Sequence, residues 1–532
     1  MTEQPGSAGR SPSEGVPSIS ERYHDATKYS PEGLAKGAHQ LDWSKKPSLW
    51  KDYEGKETVA LAPLLGLKGP TLADALAGLP LPALPAGPLT RAHAARLLFF
   101  TNGVTRVVPQ PPGPPFLMRA APSAGGLYPT EVYLVVRDGM IDGIPAGAWN
   151  LDIRDLSLAR ASDEKDAFGK IAGATNAGSL VERARALVVL TGVFWRSAWR
   201  YEQRAYRRIL LDSGHVLGNA VISAARLGLV ALPIGGFDDG AVEAALGLDP
   251  TEEGALVVLP LFDPSEVEVR PPRGALASRG PIVPAEAVPD DSGIMKALHL
   301  ATRLRAPLAR AAGRDEPGDR YQERAYQGTV VPLPAAEIEM GPEIEKTVLA
   351  RRSTRAFDGG DFTLEELAKI LHFAYAATAT GESDARLAPG TIDGSLLETF
   401  ICWNHAEGGE PGVYYYRPRT HDLVLLKPGE LSRECHAICL GQELGRDAAA
   451  VLFHTADLPR AVARYGDRAY RYLHLDAGHL GQRLDLAAIR SGLGASGIGG
   501  FFDDHALELL GLPPRSVIVY PTCLGRPAEG EE

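Results

Sequence analysis

Cysteine is scarce in this chain: four in 532 residues, Cys402, Cys435, Cys439 and Cys523, all in the second half. So sparse a set excludes a disulfide framework. Cys435 and Cys439 stand four apart, but no further ligands converge on them in sequence, so they are expected to pack a helix and no metal is expected. Long apolar runs are missing as well. Nothing approaches the roughly 20 apolar residues of a membrane helix, and the opening MTEQPGSAGRSPSEGVPSIS has no apolar core, which argues against a signal peptide and for a cytoplasmic protein with no membrane partner. Concentrated positive charge is absent too. A net charge of −11 over this length argues against a nucleic-acid partner.

What is present is an ordinary globular composition, 45% apolar and 23% charged, in a chain longer than one hydrophobic core usually supports. Two domains are the expectation, and an internal repeat supplies them. RYEQRAYRRILLDSGHVLGN from Arg200 lies over RYGDRAYRYLHLDAGHLGQR from Arg464 at a constant offset. Tyr201 falls on Tyr465, Arg204 on Arg468, Asp212 on Asp476, Gly214 on Gly478, His215 on His479, Gly235 on Gly499 and Phe237 on Phe501. The organisation read from this is a disordered tail at 1–20, an arm at 21–60 with Trp43 and Trp50, and a first domain at 61–270. A Pro- and Ala-rich linker with a helix follows at 271–334, then a second domain at 335–532.

In each domain helical apolar spacing surrounds Asp212 and Asp476, while EVYLVV from Glu131, ALVVL from Ala186, ALVVL from Ala255 and SVIVY from Ser516 read as buried strands. The fold class is α+β. The first 60 residues have no counterpart in the repeat.

Two motifs carry chemistry. ARRSTRAF, from Ala350, follows a helical stretch and offers three guanidinium forks and a hydroxyl, Arg351, Arg352, Arg355 and Ser353, suited to an oxyanion. The alternative is a solvated basic helix end. PSAGGLYP, from Pro122, is a glycine turn entering a strand, where backbone N–H groups can approach a flat ligand. The GGF turns at Gly235 and Gly499 also offer amides, or are simply tight turns.

RRSTR, PSAGGLYP, AYRYLHLDAGHLGQ and GGFFDD together resemble the flavin-dependent nitroreductase superfamily, in its branch of SagB-type dehydrogenases that includes azoline oxidases. The resemblance implies a nitroreductase-like fold duplicated in one chain, two domains packed as an intertwined pseudo-dimer that needs no second chain, and FMN at the interface. The copies differ in a complementary way. Arg351, Arg352, Ser353 and Arg355 fall on Gly78, Leu79, Pro80 and Pro82, while PSAGGLYP falls on PGTIDGSL. One composite FMN site is therefore expected. Arg351, Arg352, Ser353, Arg355, Gly499, Gly500 and Arg526 would come from the second domain, and Pro122, Ser123, Ala124 and Gly125 from the first.

The resemblance further implies a Lys-Tyr pair that removes a proton. Here the pair reads Arg200-Tyr201, with Tyr201 the base and Arg200 stabilising its phenolate, since arginine itself stays protonated. His215 and His479 are expected to bond across the interface instead of acting in catalysis. The implied function is an FMN-dependent dehydrogenase or oxidase acting on a peptide or carrier-protein-bound intermediate in natural-product biosynthesis, within a biosynthetic enzyme complex. The alternatives are an NAD(P)H-dependent nitro or quinone reductase and a flavin-free scaffold.

Overall fold

The computed structural model of the chain describes residues 16–35, 40–61, 81–267, 276–306, 324–335, 343–375 and 389–530. Two seven-stranded sheets dominate it. The first runs, in spatial order, Thr58–Ala60, Ser157–Arg160, Gly147–Asp152, Thr130–Val136, Ala186–Val193, Glu253–Phe262 and Val230–Ala231. The second repeats that order with Thr329–Pro332, Asp422–Pro428, Gly412–Arg417, Glu398–Trp403, Ala450–Asp457, Ser516–Gly525 and Gly494–Gly497. Neighbouring strands in both sheets are antiparallel. Helices cover both faces of the central strands, which is why those strands read as unbroken apolar runs instead of alternating ones.

The repeat segments form two 22-residue helices, Ala205–Arg226 and Ala469–Arg490, that cross at the centre of the molecule. Glycine is required at the crossing. A Cβ on Gly214 would collide with the Leu475 carbonyl oxygen, and one on Gly478 with that of Leu211, its counterpart 264 residues earlier. The reciprocity is that of a two-fold interface written into one chain.

The same symmetry repeats in buried charge. Asp239 of the first domain receives Arg468 and Arg471 of the second, each at 2.6 Å, and Asp503 of the second receives Arg204 and Arg207 of the first at 3.2 and 2.7 Å. Each carboxylate is held below its ordinary range by its two guanidinium partners, against the opposing effect of burial. The domains also exchange segments: Glu345, on the helix Glu343–Ala350, pairs with Arg96 of the first domain in a buried contact.

Two boundaries differ from the sequence expectation. Ser18 caps the helix Ile19–Ala26, and Ile19 and Ser20 are fully buried, so the ordered arm starts before residue 21. Residues 58–60 do have a repeat counterpart. They form the edge strand of the first sheet as 329–332 do in the second, a pairing that short strands with unrelated flanks hide in sequence. The linker helix spans Ile294–Ala301. The four cysteines are buried, with Cys435 on the helix Ser432–Ile438, and no metal-holding cluster occurs among the described residues. No described helix is long and apolar enough to cross a membrane.

Candidate active site

A cavity of about 360 Å³ opens between the domains, within the range of small-molecule sites. Pro122, Ser123, Ala124, Gly125 and Tyr201 reach it from the first domain, and Ser353, Arg355, Gly499 and Gly500 from the second. The two half-motifs therefore meet, more than two hundred residues apart in sequence.

Each wall has a local cause. The turn of PSAGGLYP needs its glycines, since Gly125 and Gly126 have φ of 63° and 65°. Its other end is latched by Asp212, which accepts from Ser123 Oγ at 2.6 Å and from the Ala124 N–H at 3.2 Å. Ser123 Oγ in turn accepts the Tyr128 N–H at 2.8 Å. Burial pushes the Asp212 carboxyl up to about 7, while these bonds oppose the shift. Opposite, a Cβ on Gly499 would collide with the Arg208 guanidinium. Among the described residues, nothing accepts the N–H of Gly499 or Gly500. Two amides and a cation thus converge on one wall.

The remaining predicted residues are placed differently. Arg200 and Tyr201 lie over the Gly125 turn, where a Cβ on Gly125 would sit 2.7 Å from Tyr201 Oη and 3.2 Å from Arg200 Cδ. Burial raises the Tyr201 phenol above its ordinary value, with Arg208 and Arg200 nearby opposing the shift. Arg351 is buried and donates through Nε to the Ala120 carbonyl at 2.7 Å and through Nη2 to that of Arg119 at 3.1 Å, bracing the strand end that leads into PSAGGLYP. Its Nη1 has no partner among the described residues. Arg352 turns back onto its own helix end, bonding the Leu349 and Arg351 carbonyls. Arg526 is held away from the cavity by Glu366, at 3.0 Å, and by the Asp361 carbonyl.

Arg208, Asp212, Asp485 and Tyr520 line the cavity and were missed as site residues. The repeat could have flagged three of them, because Arg208 faces Tyr472, Asp485 faces Val221 in the aligned copies, and Tyr520 faces an aliphatic strand.

Comparison with known proteins now decides the family. The nitroreductase family model matches twice, over residues 88–261 and 348–526. The chain belongs to the nitroreductase family. This family is one of oxidoreductases, and here its fold is present twice in one chain. A crystal structure assigned as a nitroreductase from Anabaena variabilis superposes with a TM-score of 0.83 at 40% identity, covering 96% of this chain and all of the other. The protein MJ1384 of Methanocaldococcus jannaschii, also assigned as a nitroreductase, is 32% identical over 35% of this chain and 92% of its own length. The trifolitoxin-processing protein TfxB of Rhizobium leguminosarum is 34% identical over 26% of this chain, and the match spans 38% of that protein.

In this nitroreductase-family chain the symmetry-related position is filled. The Gly235 and Gly236 amides both donate to the Leu276 carbonyl of the linker, at 2.8 and 3.0 Å. Tyr472, standing where Arg208 stands in the other half, donates to the Ser278 carbonyl at 3.0 Å and accepts the Ser278 N–H. Tyr465, the counterpart of Tyr201, donates to Asp393 at 2.7 Å. Asp476 keeps the latch of Asp212, accepting the Ile392 and Asp393 amides at 2.8 Å each. The first-domain counterparts of Arg351, Arg352 and Ser353 lie outside the described residues.

His215 bonds across the interface as expected, with Nδ1 facing Gln482 at 2.9 Å and Nε2 facing Tyr520 at 2.9 Å. His479 does not: both of its ring nitrogens are buried without a hydrogen-bond partner among the described residues.

Proposed function

We propose that the chain is an FMN-dependent dehydrogenase or oxidase of the SagB type, acting on a peptide or carrier-bound intermediate, with one FMN in the interdomain cavity. The observation that carries this is the wall of unclaimed donors: the Gly499 and Gly500 amides, the Arg208 guanidinium beside them and Arg351 Nη1, all at or beside the cavity. The guanidinium donors are buried and the amides half-exposed, and buried donors without acceptors are costly unless a ligand satisfies them, so the residues present fit an anionic, electron-rich group. Bound FMN would supply a hydride acceptor for substrate oxidation.

The chain's own residues divide the remaining work. Ser353 and Arg355, with Arg351 behind them and Arg352 at the helix end, would hold the phosphate. The free amides of Gly499 and Gly500 would meet the electron-rich edge where negative charge develops. Pro122, Ser123, Ala124 and Gly125 would shape the opposite wall, fixed in place by Asp212. Tyr201 keeps its proton, so it would donate a hydrogen bond to substrate, with Arg200 beside it. The similarity to a trifolitoxin-processing protein supports a peptide-like substrate and a biosynthetic complex as partner.

A second reading has its own support. A protonated Tyr201 next to arginine is a poor base for removing a carbon-bound proton, but serves a reductase that protonates its product, with NAD(P)H as electron source. Purified protein should release one FMN per chain on denaturation. Turnover of azoline peptides with dioxygen, without NAD(P)H, is the expected result, and turnover only of nitroaromatics or quinones with NAD(P)H would establish the second reading. Absence of flavin after reconstitution would leave the scaffold.

A further inference from the structure

One buried carboxylate in the cavity is used by nothing described so far. Asp485, on the long helix Ala469–Arg490, is 3% exposed and lines the cavity, and its Oδ1 has no hydrogen-bond partner among the described residues. Burial raises its carboxyl to about 7, with nearby Arg351 opposing the shift, and a buried oxygen left without a hydrogen bond leaves room for a further donor.

Beside it stands Tyr520, whose hydroxyl occupies the space that a Cβ on Gly497 would take. The direction of its hydrogen bond can be traced. Gln482 Nε2 donates to Asn219 Oδ1 at 2.8 Å, so Gln482 turns its Oε1 toward His215 Nδ1, 2.9 Å away. An amide oxygen can only accept, so His215 carries its proton on Nδ1. His215 Nε2 is then an acceptor, and the Tyr520 hydroxyl, at 2.9 Å, donates to it. The phenol proton is committed away from the cavity. What Tyr520 offers the cavity is oxygen lone pairs.

This arrangement is not demanded by the fold, because the filled position lacks it. Val221 replaces Asp485, Gly218 replaces Gln482, and His479 has no hydrogen-bond partner among the described residues. Strand register puts Val257 opposite Leu190, where Tyr520 stands opposite His454. Among the described residues, the chain of Asp485, Tyr520, His215 and Gln482 is present at the open position and absent from the filled one.

We infer that Asp485 and the Tyr520 oxygen form an acceptor floor that takes an N–H from a planar heterocycle and, resting on the FMN assignment above, that it takes the one ring N–H of oxidised flavin. A hydroxyl group could satisfy almost any polar wall, since it both donates and accepts. Tyr520, whose proton is committed to His215, and Asp485 in its ionised form present acceptors alone and so select the pure donor.

The test is binding to the apo-protein, followed by the quenching of flavin fluorescence, with FMN and with N3-methyl-FMN, which lacks that N–H. Wild type should prefer FMN by roughly tenfold or more, the size of one buried hydrogen bond expressed as affinity. Asp485→Ala should bind the two flavins alike, and Tyr520→Phe should narrow the gap. Asp485→Leu, which keeps most of the side-chain volume and has no acceptor, serves if the alanine variant does not fold, and it too should narrow the preference. Nitrogen-15 shifts of the His215 ring should show the Nδ1–H form in wild type. Equal binding of both flavins by wild type, or an unchanged preference in every variant, overturns the inference while leaving FMN in place. Failure of wild type to bind either flavin removes the FMN assignment, and this inference with it.

Discussion

The two halves of this molecule start from the same glycine turn, aspartate latch and long helix, and end in opposite states. At Gly499 and Gly500 the amides face a cavity, with Arg208 behind them. At Gly235 and Gly236 the equivalent amides are taken by the linker carbonyl of Leu276, and Tyr472 fills the arginine's place. Elements common to both halves serve the fold: the crossing glycines, Asp212 and Asp476, and the Asp–Arg–Arg clusters. Elements present in one half only mark the site. A tandem copy is therefore an internal control for separating packing from function, in a way a single domain cannot offer.

The largest expected effect tests the shared part. Removing one carboxylate leaves two buried guanidinium groups unpaired, so Asp239→Ala and Asp503→Ala should each cost about 3–5 kcal/mol in denaturant unfolding. Equal losses would confirm that both clusters are structural, whereas a loss confined to one would break the symmetry argument. Next comes a pair that should differ. A side chain on Gly499 runs into Arg208, and one on Gly235 runs into the Tyr472 ring, 2.5 Å away. Gly235→Val should lower stability by about 1–3 kcal/mol and leave flavin content unchanged. Gly499→Val should lose flavin. Flavin loss in both would show that the filled position still matters to binding.

The repeat offset made the two-domain fold legible, because helices and buried strands that pack against each other must keep the same residues in both copies. The meeting of PSAGGLYP with ARRSTRAF was legible for the same reason, since each half had lost what the other kept. Less visible was what depends on register across the interface. Arg351 looks like a phosphate ligand in sequence, but it spends two of its nitrogens on the Arg119 and Ala120 carbonyls. Arg526 has the right neighbours in sequence, yet Glu366 captures it. The linker read as a tether, while Leu276 to Ser278 are buried against the Gly235–Gly236 turn, a contact that no local pattern announces.

A smaller effect compares the latches by pH. Burial raises Asp212 to about 7 and Asp476 to about 8, whereas an unfolded aspartate titrates near 3.9. The folded form binds the proton more tightly, so this stability is fully present below about pH 4 and is lost as pH rises through 7 to 8. Apo-protein unfolding between pH 5 and 8 should therefore lose up to about 1.4 kcal/mol per unit for each group. Asp476→Asn should flatten the upper part of that slope and Asp212→Asn the lower part. A slope unmoved by either change would place the titration elsewhere.

The smallest expected change in stability discriminates most sharply between the halves. Tyr465 is buried and donates to Asp393, so Tyr465→Phe leaves a buried carboxylate short of a donor and should cost about 1 kcal/mol. Its counterpart Tyr201 lines the cavity, and no described residue bonds its hydroxyl. Tyr201→Phe should therefore shift stability by less than about 0.5 kcal/mol, the range of a substitution that breaks no internal contact. Its effect belongs in turnover, read as a fall in kcat with flavin content unchanged. If Tyr201→Phe instead destabilised the protein as Tyr465→Phe does, and turned over normally, the tyrosine would be a packing residue in both copies, and the substrate's hydrogen-bond donor would have to be sought among the other groups that only the open half retains.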